Sequence, residues 1–218
     1  MTVPETATRA LDRRTGIAGL VFVVLFVVGW MVGGGTPDYD APDEEWVNWF
    51  ADEDNTLSAV AGMFTLALSA VVFVPFLTGL LRRVRRAVTD AEGLPMIALA
   101  AGILFSATTV IAAVAINQVA AAIELGGGGG GDYPIPGADV LRQAEQLGFG
   151  IGLLGGGWAA ALCVAAVSWS ARGTSSLPAW LSTAGLAVAV VLLFSVFFLP
   201  MALFALWVLA VSIVLVRS

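Results

Sequence analysis

The sequence predicts an all-α, polytopic transmembrane helical bundle of six spans with both termini in the cytoplasm, and three observations lead there. Only 12% of the 218 residues are charged and 59% are hydrophobic, against about 25% charged in soluble domains. Apolar stretches long enough to cross a hydrocarbon core, about 20 residues for about 30 Å, follow one another with short connections. The charges between them sort by sign. With six crossings, nine of the ten arginines and four acids fall on one side, one arginine and twelve acids on the other. Basic connections stay in the cytoplasm, so the same count sets the orientation.

A cytoplasmic tail, residues 1–15, carries Arg9, Arg13 and Arg14 and leads into the first span, residues 16–34. Its apolar core exceeds the roughly 7–15 residues of a signal peptide, so a retained anchor is expected; Arg13-Arg14 resembles a twin-arginine signal only weakly. The second span, residues 56–81, is capped by Asp54, Asn55 and Thr56, kinked by Pro75 and stopped by Arg82, Arg83, Arg85 and Arg86. A third, residues 95–125, is longer than a bilayer is thick, so it tilts or its last turns project into water. The fourth covers residues 145–170. The final apolar stretch, residues 177–216, is twice one crossing. Pro200, suited to the first turn of a helix, divides it into a fifth span, 178–199, and a sixth, 200–216, joined by a very tight turn. Trp30, Trp169 and Trp180 fall near the interfaces, where indoles collect. Residues 16–216 thus form a single transmembrane domain.

The acidic external loop, residues 36–55, places Asp43, Glu44 and Glu45 before Trp46, Trp49 and Phe50. Carboxylates in a first turn suit the helix dipole, and the aromatic spacing makes one stripe. A short helix is expected on the outer leaflet, with Trp46, Trp49 and Phe50 as interfacial anchors. Asp38, Asp40 and Asp43 offer a partner dock or a cation site, though calcium-loop spacing is absent; a solvated acidic lid is the plainer reading. The Gly-rich external loop, residues 126–144, opens with six glycines, a flexible tether. It follows a helix and lacks lysine, so it is neither a dinucleotide fingerprint nor a phosphate-binding loop. Gly129-x-Gly131-Asp132 with Tyr39-Asp40 imitates the two motifs of presenilin-like aspartyl proteases. That chemistry needs two carboxylates sharing a proton within the spans, and here both lie in external loops.

Catalytic residue types are scarce. Histidine is absent and Cys163 is the one cysteine, which excludes an intrachain disulfide or a cysteine-metal cluster. No ionisable residue falls in the expected hydrocarbon zone, where one would mark function. Asn117 and Gln118 remain as a possible solute contact or interhelix hydrogen bond near the outer boundary. Gly148, Gly152, Gly156 and Ala160 repeat every four residues, and Gly29 and Gly33 do the same. Such faces let backbones approach closely; packing within the monomer is the plainer reading and a homodimer seam the alternative. Arg82, Arg83, Arg85 and Arg86 serve as a topological stop and are able to bind anionic headgroups as well.

A span followed by Pro37 and Asp40, the run D-E-E-W-V-N-W-F-A-D-E-D-N at residues 43–55, and a span ending Leu80-Leu81-Arg82 resemble a group of six-span actinobacterial membrane proteins of unknown function. Leu177-Pro178-Ala179-Trp180-Leu181 and Leu206-Trp207-Val208 extend the likeness over most of the chain. The glycine run departs from it. The resemblance implies six spans and carries over no activity.

Together these readings predict a multi-pass protein of the cytoplasmic membrane with no catalytic constellation and no implied metal, cofactor or nucleic-acid partner. The bilayer surrounds it, and a homo-oligomer or a membrane-protein partner is open. The expected role is a non-enzymatic structural or accessory component; the alternative is a small transporter or channel for an apolar or neutral solute. An enzyme acting on lipids comes third.

Overall fold

A computed structural model describes residues 5–87, 93–126 and 133–218, and these are helical with no strand among them. Helix α1 (Glu5–Gly33) leads to the short α2 (Asp43–Ala51), then α3 (Glu53–Ala87) and α4 (Gly93–Leu125). Next come α5 (Ala138–Phe149), a π-helical segment (Gly150–Gly156) and α6 (Gly157–Ala171), which run on as one rod. Helix α7 (Ala179–Leu192), a 3-10 turn (Ser195–Phe197) and α8 (Leu199–Arg217) finish the chain. Five helices are long and apolar enough to cross a membrane, and α7, with 14 residues, is a shorter apolar one.

Neighbours in sequence are neighbours in space. Helix α1 packs on α3, α3 on α4, α4 on the α5–α6 rod, α6 on α7 and α7 on α8, and α8 returns to α1. The ring that results is filled by aromatic rings rather than by solvent. Phe22 of α1 lies 4.9 Å from Phe73 of α3, Phe73 5.0 Å from Phe105 of α4, and Phe105 5.0 Å from Phe204 of α8, centroid to centroid. Phe22, Phe73, Phe76, Phe105 and Phe204 are fully buried. Tilted and edge-to-face pairs at these distances place each positive ring edge on a negative face.

Several boundaries move from their expected places. The tail is not a separate segment, because α1 is helical from Glu5. Arg82, Arg83, Arg85 and Arg86 do not stop the second helix, which continues to Ala87. Arginine is a good helix former, so leaving the apolar zone does not end the helix. Part of the glycine-rich loop, from Ala138 onward, already belongs to α5. The fifth helix stops at Leu192 instead of residue 199, and the sixth starts at Leu199 with Pro200 in its first turn. Between them Phe198 takes φ 63°, a left-handed conformation unusual for an aromatic residue, and this reverses the chain.

The bundle has two polar ends. One gathers the α1–α3 and α4–α5 connections; the other gathers the start of α1, the end of α3, the α6–α7 loop and the C-terminus.

Candidate functional site

At the first end, α2 is laid across the bundle by its own periodicity. Trp46 and Phe50, four residues apart, are buried, and Trp49 is half-buried beside Phe50. Trp46 and Phe50 are therefore covered by protein, with α2 packed on both α3 and α5. Trp46 donates its indole N–H to the Asp38 carbonyl at 3.1 Å.

Arg142 of α5 is the hub of this cap. Its Nε donates to the Tyr39 carbonyl at 3.1 Å and its Nη2 to the Ala41 carbonyl at 2.6 Å. Its Nη1 pairs with Asp43 at 2.8 Å and lies 3.4 Å from Asp139. The guanidinium also sits 5.7 Å from the centre of the Trp46 ring. A planar fork with five donors suits this many acceptors, where an ammonium would not. Sequence reasoning marks Arg142 only as the exception to the charge sorting, and that exception was the available signal.

Two further carboxylates tie the cap to the bundle. Thr36 donates its hydroxyl to Glu145, which is buried, and Thr56 donates to Glu124 at 2.5 Å. Glu145 is thus a buried acid that hydropathy alone misses, because it sits one helical turn before Phe149, the ring on which Trp30 stacks. Open recesses of about 520 Å³, edged by Asp38, Glu45 and Asn48, and about 550 Å³, edged by Glu53, Glu124 and Tyr133, flank α2. Asp38, Asp40 and Asp43 do not converge on a cation site: Asp43 is spent on Arg142, and no metal-holding group of acids, Cys or His occurs among the described residues. Gly129, Gly131 and Asp132, with most of the glycine run, lie outside the described residues.

The second end is held by Arg83. Its Nη1 pairs with Asp12 at 2.6 Å and donates to the Ser218 hydroxyl at 2.8 Å, while Nε donates to the Ser176 carbonyl at 2.8 Å. One side chain therefore joins α1, α3, the α6–α7 loop and the C-terminus. The four-arginine cluster is divided by this. Arg82, Arg85 and Arg86 edge a groove of about 420 Å³ between α3 and α4, floored by Leu81 and Leu99, and Arg86 also borders the recess around Arg83 and Asp12.

The small-residue faces are consumed within the chain. A Cβ on Gly29 would lie 2.8 Å from the Leu66 backbone nitrogen, and one on Gly33 3.2 Å from Gly62 Cα. Gly62 is the partner that the sequence does not announce. Gly148, Gly152 and Gly156 face Ile116, Ala112 and Thr108 of α4, and Ala160 is fully buried. Asn117 is buried but donates to the Ala113 carbonyl of its own helix at 3.0 Å, and Gln118 is exposed, so the expected interhelix contact is not formed by this pair. Trp169 and Trp180 are exposed, whereas Trp30 is half-buried against Phe149 and Phe198.

No protein-family model, curated protein or solved structure matches the chain.

Proposed function

We propose that this protein is a six-span, non-enzymatic structural or accessory component of the cytoplasmic membrane, with both termini inside. The observation that carries the reading is the filled centre. Phe22, Phe73, Phe105 and Phe204, from four helices, meet where a solute route would have to pass. The buried hydroxyls of Ser69, Thr109, Ser170 and Ser212 are satisfied by carbonyls one turn back on their own helices, while those of Ser106, Ser168 and Ser182 are buried without a hydrogen-bond partner among the described residues. Charged contacts gather at the two ends, where they fasten connections to one another.

A transporter for a neutral solute needs a polar path between the ends, and the phenylalanine cluster stands against that alternative. Proteoliposome swelling tests it. Small neutral solutes are expected to enter at the rate of protein-free vesicles, and solute-selective swelling would overturn the reading. Sidedness is tested by single cysteines in a Cys163→Ser background, Cys163 being buried. An impermeant maleimide applied to intact cells is expected to label Glu44→Cys and not Ser175→Cys, both at exposed positions. The reverse pattern refutes the orientation.

A further inference from the structure

We propose that the groove between α3 and α4, edged by Arg82, Arg85 and Arg86, is a binding site for the phosphate-bearing headgroup of an anionic phospholipid of the inner leaflet. This rests on the membrane reading above and adds to it a ligand and a place.

The spacing is the first support. Residues 82, 85 and 86 stand at i, i+3 and i+4, so they share one face of α3. Arg83 is engaged with Asp12, Ser176 and Ser218, in a recess that Arg86 also borders. Among the described residues, Arg82, Arg85 and Arg86 have neither a carboxylate nor a hydrogen-bond partner, while all three edge one cavity of about 420 Å³. Three like charges on one face repel one another, and a dianionic or monoanionic phosphate placed among them relieves this. Guanidinium forks match phosphate oxygens two at a time.

The second support is the composition of the groove. Its floor is Leu81 and Leu99, with Thr78 one turn further in. The Thr78 hydroxyl is turned to the Pro75 carbonyl at 3.1 Å, which leaves its methyl for the groove. A site for free phosphate has no use for such a floor. A glycerophospholipid does, since its headgroup reaches the arginines while its glycerol and first methylenes lie along the leucines. Beyond the groove, Met96, Ile97 and Ile103 of α4 are exposed, continuing an apolar surface along which acyl chains run.

The test is lipid retention. Full-length protein is extracted in mild detergent, delipidated, exposed to mixed micelles containing phosphatidylglycerol or phosphatidylcholine, and read by native mass spectrometry. Wild type is expected to keep phosphatidylglycerol selectively. Each arginine near an anionic surface contributes about fivefold, so R82Q/R85Q/R86Q lowers retention roughly a hundredfold. Arg217→Gln removes a charge outside the groove and is expected to leave retention unchanged. Because the triple variant also alters the topology signal, two further variants keep the charge. Leu99→Trp fills the groove and is expected to abolish retention; R82K/R85K/R86K is expected to weaken it several-fold. Equal retention by wild type, Leu99→Trp and the triple glutamine variant overturns the proposal. So does displacement of the lipid by millimolar inorganic phosphate, which would mean that the arginines bind the anion and the apolar floor plays no part. Cysteine labelling reports orientation separately, so a failed topology and an empty groove are told apart.

Discussion

The close approach of α1 to α3 is set by residues with no side chain, and Gly29→Ala probes it with one carbon atom. The added Cβ would lie 2.8 Å from the Leu66 nitrogen and 3.0 Å from its Cα. Optimal carbon contacts are about 3.5–4.0 Å, so α1 must retreat from α3 by about 0.7 Å or more. A gap of that size forfeits a quarter to a half of each contact across the seam, and overpacking of this kind costs about 1–3 kcal/mol. The wall is backbone, which has no rotamer to change, so the upper half of that range applies. Helix propensity returns about 1 kcal/mol for replacing glycine by alanine. The net expectation is a loss of about 1–2 kcal/mol. Gly155→Ala is the matched control, because its Cβ would meet only the Thr108 methyl at an ordinary 3.6 Å. It is expected to be neutral or to stabilise by at most about 1 kcal/mol. Thermal unfolding of both variants in one detergent, followed by near-ultraviolet circular dichroism, reads the difference. Equal stability of the two would refute the close-packed seam.

Arg83→Gln removes the ion pair to Asp12 and two hydrogen bonds, leaving a largely buried carboxylate alone, and is expected to lower stability by about 1–3 kcal/mol in the same unfolding assay. Arg85→Gln, without such partners among the described residues, is expected to leave stability unchanged. Trp46→Ala is expected to cost about 3–5 kcal/mol, because the indole is fully buried. An interfacial anchor would cost far less, so a small loss restores the outer-leaflet reading of α2. Ser195→Ala takes away the hydroxyl donated to the Leu153 carbonyl, which keeps the Gly157 N–H, and is expected to cost about 0.5–1.5 kcal/mol in bilayers; unchanged unfolding would refute the role assigned to that bond below.

Helix type and the polar ends were legible because composition and charge sorting act over whole segments and average out local detail. Boundaries were not, because a helix ends where its hydrogen bonds end. Hydropathy fades at Leu81, yet α3 runs through four arginines to Ala87. The face taken by α2 was hidden for another reason. Trp46 and Phe50 make the same stripe whether lipid or protein covers it, and only the packing of α2 on α3 and α5 decides. Asn117 stood out as the polar residue of an apolar helix, but a carbonyl one turn back satisfies its donor. Arg142, which matters more to the cap, stood out only as the exception to the charge sorting, and Glu145 carried no signal of its own. Their importance lies in partners about 100 residues away in sequence.

The α7–α8 hairpin brings these strands of reasoning together. At about 1.5 Å per residue, 14 residues of α7 rise about 21 Å, short of a hydrocarbon core about 30 Å thick. With α7 crossing as proposed, the turn after it completes the crossing at the far edge of the apolar layer, and Phe194, Val196 and Phe197 are exposed there. Irregular backbone at that depth is tolerated only where its polar groups find partners within the protein. Several do here. The Leu193 carbonyl accepts the Trp158 indole N–H at 3.2 Å, the Phe194 and Ser195 carbonyls accept N–H groups of the turn, and the Phe198 carbonyl accepts the Met201 N–H of α8. The Ser195 hydroxyl donates to the Leu153 carbonyl, which also accepts the Gly157 N–H, so the turn is tied to the neighbouring π-helical segment. Gly157 makes this possible, because a Cβ there would collide with the Ser195 side chain. Glycine at residue 157, serine at 195 and tryptophan at 158 therefore work as one device. It ties the α7–α8 turn to the neighbouring π segment and pairs the Leu193 carbonyl.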